Sequence, residues 1–277
     1  MNVVVKLQGG LGNQMFQYAF GKNISNLTSR KLILDLSFLN RRDLGLDFVF
    51  REYDLDIFDL KNLSVVDYYN EDHDLISEKF NPNSTPEEID SLIEGIKGKK
   101  SETIYLDGYW ASPQYFKSID FRFNRECLTQ SKNLLHDIQN TNSVMLNIRR
   151  TDFLSNDFHG IYGKEYILRG VDKLKSELTD LSFFIFSDDI EWCENNLSDI
   201  PNSTIVSHEH KGDKFYNYLF LMSQCKHFII PNSTFAWWAA YLSKSENKKV
   251  LYPEIWLNAF SSECKMLYFG LDWEKNI

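Results

Sequence analysis

Residues 144–152 read Val144-Met145-Leu146-Asn147-Ile148-Arg149-Arg150-Thr151-Asp152, an apolar run that stops at two arginines and an aspartate. The run predicts a short buried strand. Charge confined to its carboxyl end suits an open α/β sheet, whose ligands sit just beyond the strand ends. Strand alternation sends Met145, Asn147 and Arg149 to one face and Leu146, Ile148 and Arg150 to the other. Asn147 and Arg149 can therefore address one ligand. A planar guanidinium there can hold a phosphate through two parallel charge-assisted hydrogen bonds. Solvated or surface-paired arginines give the same letters, so the run alone favours a site only slightly.

Downstream, the apolar run Leu181 to Phe186 ends at Ser187-Asp188-Asp189, and His227 to Ile230 ends at Pro231-Asn232. Helical spacing marks residues 164–178 and 213–224, a further helix runs from about Ser233 to Leu242, and Val250 to Tyr252 is another short strand. Upstream, residues 2–7 form a β-branched run followed by Gln8-Gly9-Gly10-Leu11-Gly12-Asn13, an amphipathic segment and a second strand, Lys31 to Leu36. Residues 40–100 are irregular, apart from a capped helix expected after the polar stretch 81–88; Thr103 to Leu106 is again a strand. Strands alternating with helices predict parallel sheets. Two such blocks predict two Rossmann-like halves with a cleft between them, residues 1–140 and 141–277.

Hydrophobic residues make up 43% of the 277 and aromatics 15%, which describes a folded globular protein. A net charge of −9 argues against a broad nucleic-acid-binding face but leaves room for a small anionic ligand. No signal peptide and no membrane-length apolar run is visible, so a cytoplasmic protein is expected, with peripheral membrane contact left open. Cys127, Cys193, Cys225 and Cys264 are isolated, which fits neither a zinc site nor a disulfide framework.

In a parallel sheet Arg149–Asp152, Ser187–Asp189 and Asn232–Phe235 share one edge. Ser233 and Thr234 open a helix whose N-terminus favours a phosphate, although Ser233 as a plain N-cap is the commoner case. Asp188 can accept from a guanine edge, or be a solvated loop acid. The set is far less expected by chance than any member. In the first half Gly10 and Gly12 allow close backbone approach, but Met15 stands where a dinucleotide fingerprint needs its third glycine. Asn13 falls in the first helical turn, facing that ligand. Asp54-Leu55-Asp56 meets a loose D-x-D metal pattern that 39 acidic residues make unremarkable. Tyr109, Trp110, Trp237, Trp238 and Trp256 can stack on sugars, though most are expected in the core.

Five segments carry a family likeness. They are Gly9 to Ala19, Asp107 to Phe116, Asn147-Ile148-Arg149-Arg150-Thr151-Asp152, Phe186-Ser187-Asp188-Asp189, and Pro231-Asn232-Ser233-Thr234-Phe235-Ala236-Trp237-Trp238. In this order the chain resembles the bacterial α-1,2-fucosyltransferases of glycosyltransferase family 11. The resemblance implies a GT-B-like α/β fold, with an acceptor-side first domain and a nucleotide-sugar-binding second one. It implies GDP-L-fucose as donor, a galactose-terminated glycan as acceptor and inverting transfer to the galactose 2-hydroxyl, with neither metal nor cofactor. Arg149 then holds the β-phosphate, Ser233, Thr234 and Phe235 surround the diphosphate, and Asp188 reads the guanine. Gly10, Gly12 and Asn147 complete the donor set, and Asn13 and Asp152 join Arg149 near the reacting atoms. Asp152 has the address of a general base, or of a residue that orients an arginine. The family usually has histidine where this chain has Asn147. Another nucleotide-sugar transferase, a non-catalytic carbohydrate binder and a nicotinamide oxidoreductase are the competing readings.

Overall fold

The computed structural model describes residues 1–43, 49–151, 160, 162–257, 265–268 and 270–276. The chain divides into two compact units, Met1–Asn124 with Lys265–Leu271, and Arg125–Cys264 with Asp272–Ile277.

The first unit contains β1 (Asn2–Lys6), α1 (Leu11–Thr28), β2 (Lys31–Asp35), β3 (Leu63–Val66), β4 (Asp74–Ser77), α2 (Pro86–Lys97) and β5 (Thr103–Asp107). Its sheet runs β3-β2-β1-β5-β4, every neighbour parallel. Val3, Val4 and Val5 of the central strand are fully buried. The helix expected after the polar stretch is α2, closed by a capping box in which Thr85 and Glu88 bond each other's backbone N–H. The irregular region also holds two edge strands, β3 and β4.

The second unit contains α3 (Lys132–Asn140), β6 (Asn142–Ile148), α4 (Lys164–Glu177), β7 (Leu181–Ser187), α5 (Ile190–Leu197), β8 (Ser203–Ile205), α6 (Tyr216–Ser223), β9 (His227–Ile229), α7 (Thr234–Leu242), β10 (Val250–Pro253) and β11 (Glu274–Asn276). Its sheet runs β11-β10-β9-β6-β7-β8, again wholly parallel. Read from β8, this is third, second, first, fourth, fifth, sixth, the doubly wound order. Val144, Leu146 and Ile148 of β6 pack with Phe183 and Ile185 of β7 and with Ile167, Val171 and Leu174 of α4 in one buried cluster. The α4 residues follow the spacing the sequence displays.

Helix α6 starts at Tyr216, later than the apolar spacing predicts, because Lys214 and Phe215 both adopt left-handed backbone, with φ of 52° and 58°. Cys127, Cys193 and Cys225 are free thiols; Cys264 lies outside the described residues. Among the described residues no helix is long and apolar enough to cross a membrane.

Candidate active site

In the second unit the strand order reverses between β6 and β9, and ligands of doubly wound sheets bind at such a reversal. The ends of β9, β6 and β7 are neighbours there, so the three segments singled out in the sequence come to one edge. Arg149 Nη1 lies 3.0 Å from Asp188 Oδ2. That oxygen also accepts from the Thr151 hydroxyl at 2.7 Å and the Thr151 N–H at 3.3 Å. Oδ1 accepts from the Arg150 N–H at 3.0 Å. Asp188 thus braces the whole β6 exit. A bidentate grip on a guanine edge has to share an oxygen that already takes three donors.

Arg150 does different work. Its Nε bonds Asp189 Oδ2 at 3.1 Å, and its guanidinium lies 4.4 Å from the centre of the Trp192 ring. Asp189 Oδ1 in turn caps α5 through the Trp192 N–H at 3.0 Å. This is a structural tie. Arg150→Lys is expected to keep near-normal kcat while losing about 1 kcal/mol of stability with the stacked guanidinium. Thermal unfolding and steady-state kinetics check this; a collapse of kcat in the folded variant would overturn it.

Asn147 is buried and donates from Nδ2 to the Phe186 carbonyl at 3.1 Å, so its amide bridges to the neighbouring strand. Ser233 precedes α7 in extended conformation, and its side chain makes no capping hydrogen bond. The ordinary N-cap role therefore does not describe Ser233. A helix start that follows β9, the neighbour of the strand that leads to Arg149, suits an anion. Thr234 and Phe235 are half-buried in the first turn. Asn232 pins the turn by donating to the carbonyls of Gly160 and Trp256 at 3.0 and 2.9 Å. Asp152 lies outside the described residues.

Asn13, Gly10 and Gly12 belong to the first unit, at the carboxyl end of β1. Gly9 has φ +74°, and a Cβ there would fall 2.4 Å from Asn13 Nδ2, so the turn needs glycine. Two fully buried glutamines hold it. Gln17 takes the Gln8 N–H at 3.0 Å and gives to its carbonyl at 3.1 Å. Gln14 gives to the carbonyls of Gly9 and Glu52 and accepts from the Asp54 N–H. The sequence offers these glutamines only as polar letters in a helix. Asp54 precedes, and Asp56 lies within, a 3-10 turn, Leu55–Ile57, whose two apolar side chains are fully buried. Among the described residues no group of three His, Cys, Asp or Glu side chains is gathered to hold a metal. Trp110, Trp237, Trp238 and Trp256 are core, as expected, whereas Tyr109 is 43% exposed.

A family model described as "Glycosyl transferase family 11" matches residues 72–274. An Escherichia coli alpha-1,2-colitosyltransferase is 31% identical, the match covering 93% of this chain and 95% of that protein. The E. coli O-antigen biosynthesis glycosyltransferase WbnK is 28% identical over 90% and 93%. Among solved structures, the alpha-1,6-fucosyltransferase NodZ co-crystallised with GDP superposes with a TM-score of 0.55 at 15% identity, over 87% of this chain and 92% of that one. The likeness to NodZ shows the α/β, GT-B-like fold. Matched by the family model along most of its length, the chain belongs to glycosyl transferase family 11.

Proposed function

We propose that this enzyme transfers L-fucose from GDP-β-L-fucose to the 2-hydroxyl of a galactose residue, forming an α-1,2 linkage during assembly of a surface glycan such as O-antigen, in the cytoplasm. The observation that carries the reading is that β6, which leads to Arg149, and β9, which leads into the start of α7, are neighbours at the sheet's reversal point. In the reaction the galactose oxygen attacks the fucose anomeric carbon. The bond to the β-phosphate oxygen breaks, and its electron pair leaves with GDP. Negative charge grows on the diphosphate as that happens. Arg149 and the α7 N-terminus, fixed in advance, stabilise it more in the transition state than in the ground state. The acceptor proton passes to a base, a role for which Asp152 has the sequence position. In this reading Ser233, Thr234 and Phe235 line the diphosphate.

The test mixes the protein with GDP-fucose and a β-galactoside and measures free GDP and the fucosylated product. Absence of both across a panel of β-galactosides would reject the reading. The colitosyltransferase among its relatives supplies a second donor to compare. Colitose is fucose without its 3-hydroxyl, so a large preference for GDP-colitose would move the donor assignment while leaving the reaction class. Activity is expected to persist in EDTA, because charge neutralisation is assigned to Arg149 and the helix start. Loss on chelation with recovery in Mn²⁺ would reopen the Asp54 and Asp56 pair.

A further inference from the structure

We propose that the exposed ring of Tyr109 is the platform on which the acceptor's galactose ring docks, and that the half-buried Glu78 is the residue that positions it. The proposal rests on the transferase reading and adds an acceptor site to it.

Tyr109 stands two residues beyond β5, the strand that neighbours β1 and β4. The strand order of this sheet turns at β1, with β2 and β3 on one side and β5 and β4 on the other. The crevice at such a place, at the carboxyl edge, is where an open parallel sheet receives a ligand. The surrounding rings are sealed in the core: Trp110 is 0% exposed, Phe20 0% and Tyr115 4%. Tyr109 is 43% exposed, and among the described residues no ring stacks on it and no group bonds its hydroxyl.

Its backbone, by contrast, is held hard. Glu78 Oε2 accepts the N–H of Tyr109 at 2.6 Å and that of Trp110 at 3.0 Å. Trp110 is kept at φ 53°, a strained position for a bulky side chain. A Cβ on Gly108 would fall 2.3 Å from Glu78 Cβ and 2.9 Å from the Trp110 indole, so the carboxyl, the glycine and the indole interlock. Glu78 Oε1 and Trp110 Nε1 are both buried without a hydrogen-bond partner among the described residues. Burial pushes the Glu78 pKa up, against the two N–H bonds that pull it down. A half-buried acid, an orphaned oxygen and a left-handed tryptophan are a costly way to close a loop. They make sense if the loop must present the next side chain in one fixed pose.

An exposed phenol ring on a backbone held in place, at the carboxyl edge of the sheet, suits a pyranose. Galactose carries its 4-hydroxyl axially, which leaves a continuous patch of C–H groups on one face. Those polarised hydrogens meet the negative face of an aromatic ring. Asp107, two residues before the ring, uses Oδ2 on Lys6 at 3.0 Å, and its Oδ1 has no hydrogen bond among the described residues. That oxygen is an acceptor for a sugar hydroxyl beside the platform.

The experiment compares Tyr109→Ala, Tyr109→Phe, Glu78→Ala and Glu78→Gln with wild type. Calorimetric binding of a methyl β-galactoside is measured alongside acceptor and donor KM. Tyr109→Ala should weaken galactoside binding and raise the acceptor KM about tenfold, with GDP binding and donor KM unchanged. Tyr109→Phe keeps the ring and should stay within about twofold of wild type. Glu78→Ala should imitate Tyr109→Ala, because both N–H groups lose their acceptor. Glu78→Gln should restore function, since the amide oxygen can accept both and the charge is already disfavoured. Galactoside affinity unchanged in folded Tyr109→Ala would overturn the proposal, as would a parallel loss of GDP binding. The binding arm needs no turnover. A wrong donor therefore leaves it readable, and a wrong platform leaves donor turnover intact.

Discussion

Arg149→Lys is expected to fold with a near-normal Tm and to lose roughly a hundredfold or more in kcat. Lysine keeps the charge. It loses the planar fork that can face two phosphate oxygens while still meeting Asp188, as Nη1 does at 3.0 Å. An ammonium offered both a carboxylate and a phosphate settles on one or bridges them loosely. The leaving diphosphate gains charge as the glycosidic bond breaks, so the missing contact is mostly a transition-state contact. The loss should therefore fall on kcat, with a smaller effect on donor KM. Steady-state kinetics on protein whose thermal transition is intact decide the matter. Near-normal kcat in that protein would remove Arg149 from the diphosphate.

Asp188→Ala is expected to be nearly as severe, and for a different reason. The substitution leaves Arg149, the Thr151 hydroxyl and two backbone N–H groups without their shared acceptor. Each such bond to a charged group contributes about 1.5–3 kcal/mol at most, less where solvent reaches it. The exit of β6 should loosen, Tm should fall, and Arg149 should lose its aim. The expected signature is a kcat reduced at least tenfold together with weaker GDP binding. Asp188→Asn should rescue little, because its NH₂ meets donors where an acceptor is needed. The outcome that reverses this assignment is specific: a large loss of GDP affinity with kcat at saturating donor and Tm both preserved. That result would return Asp188 to the guanine edge.

The strands that build the site were legible because their chemistry changes sharply at their ends. Residues 144–148 and 181–186 are apolar, and the next letters are Arg149-Arg150 and Ser187-Asp188-Asp189. The partnership between those ends was not legible. Arg149 and Asp188 are 39 positions apart, and only the register that sets Ile148 opposite Ser187 brings them together. Edge strands were lost for a related reason. β11 is Glu274-Lys275-Asn276, with no apolar residue, and it is a strand only because β10 offers it a ladder. β3 and β4 are four residues each and only partly buried, so their pattern is weak. Gln14 and Gln17 were not legible for the opposite reason, since they are polar letters on a helix and yet fully buried. Glu78 left no sequence signal, because what it does depends on a loop that begins about 30 residues later.

Those two glutamines also set a rate. The Gln8 N–H donates to a side-chain oxygen on α1, and that side chain is wholly shielded from water. Solvent can reach the amide only when the first turns of the helix lift from the strand end. Hydrogen exchange at this one position therefore reports the free energy of that opening, separately from global unfolding. Because Gln14 ties Gly9 to the carbonyl of Glu52, residues 51–54 should open in the same step. A molecule bound against the glycine turn will slow the exchange of both segments together.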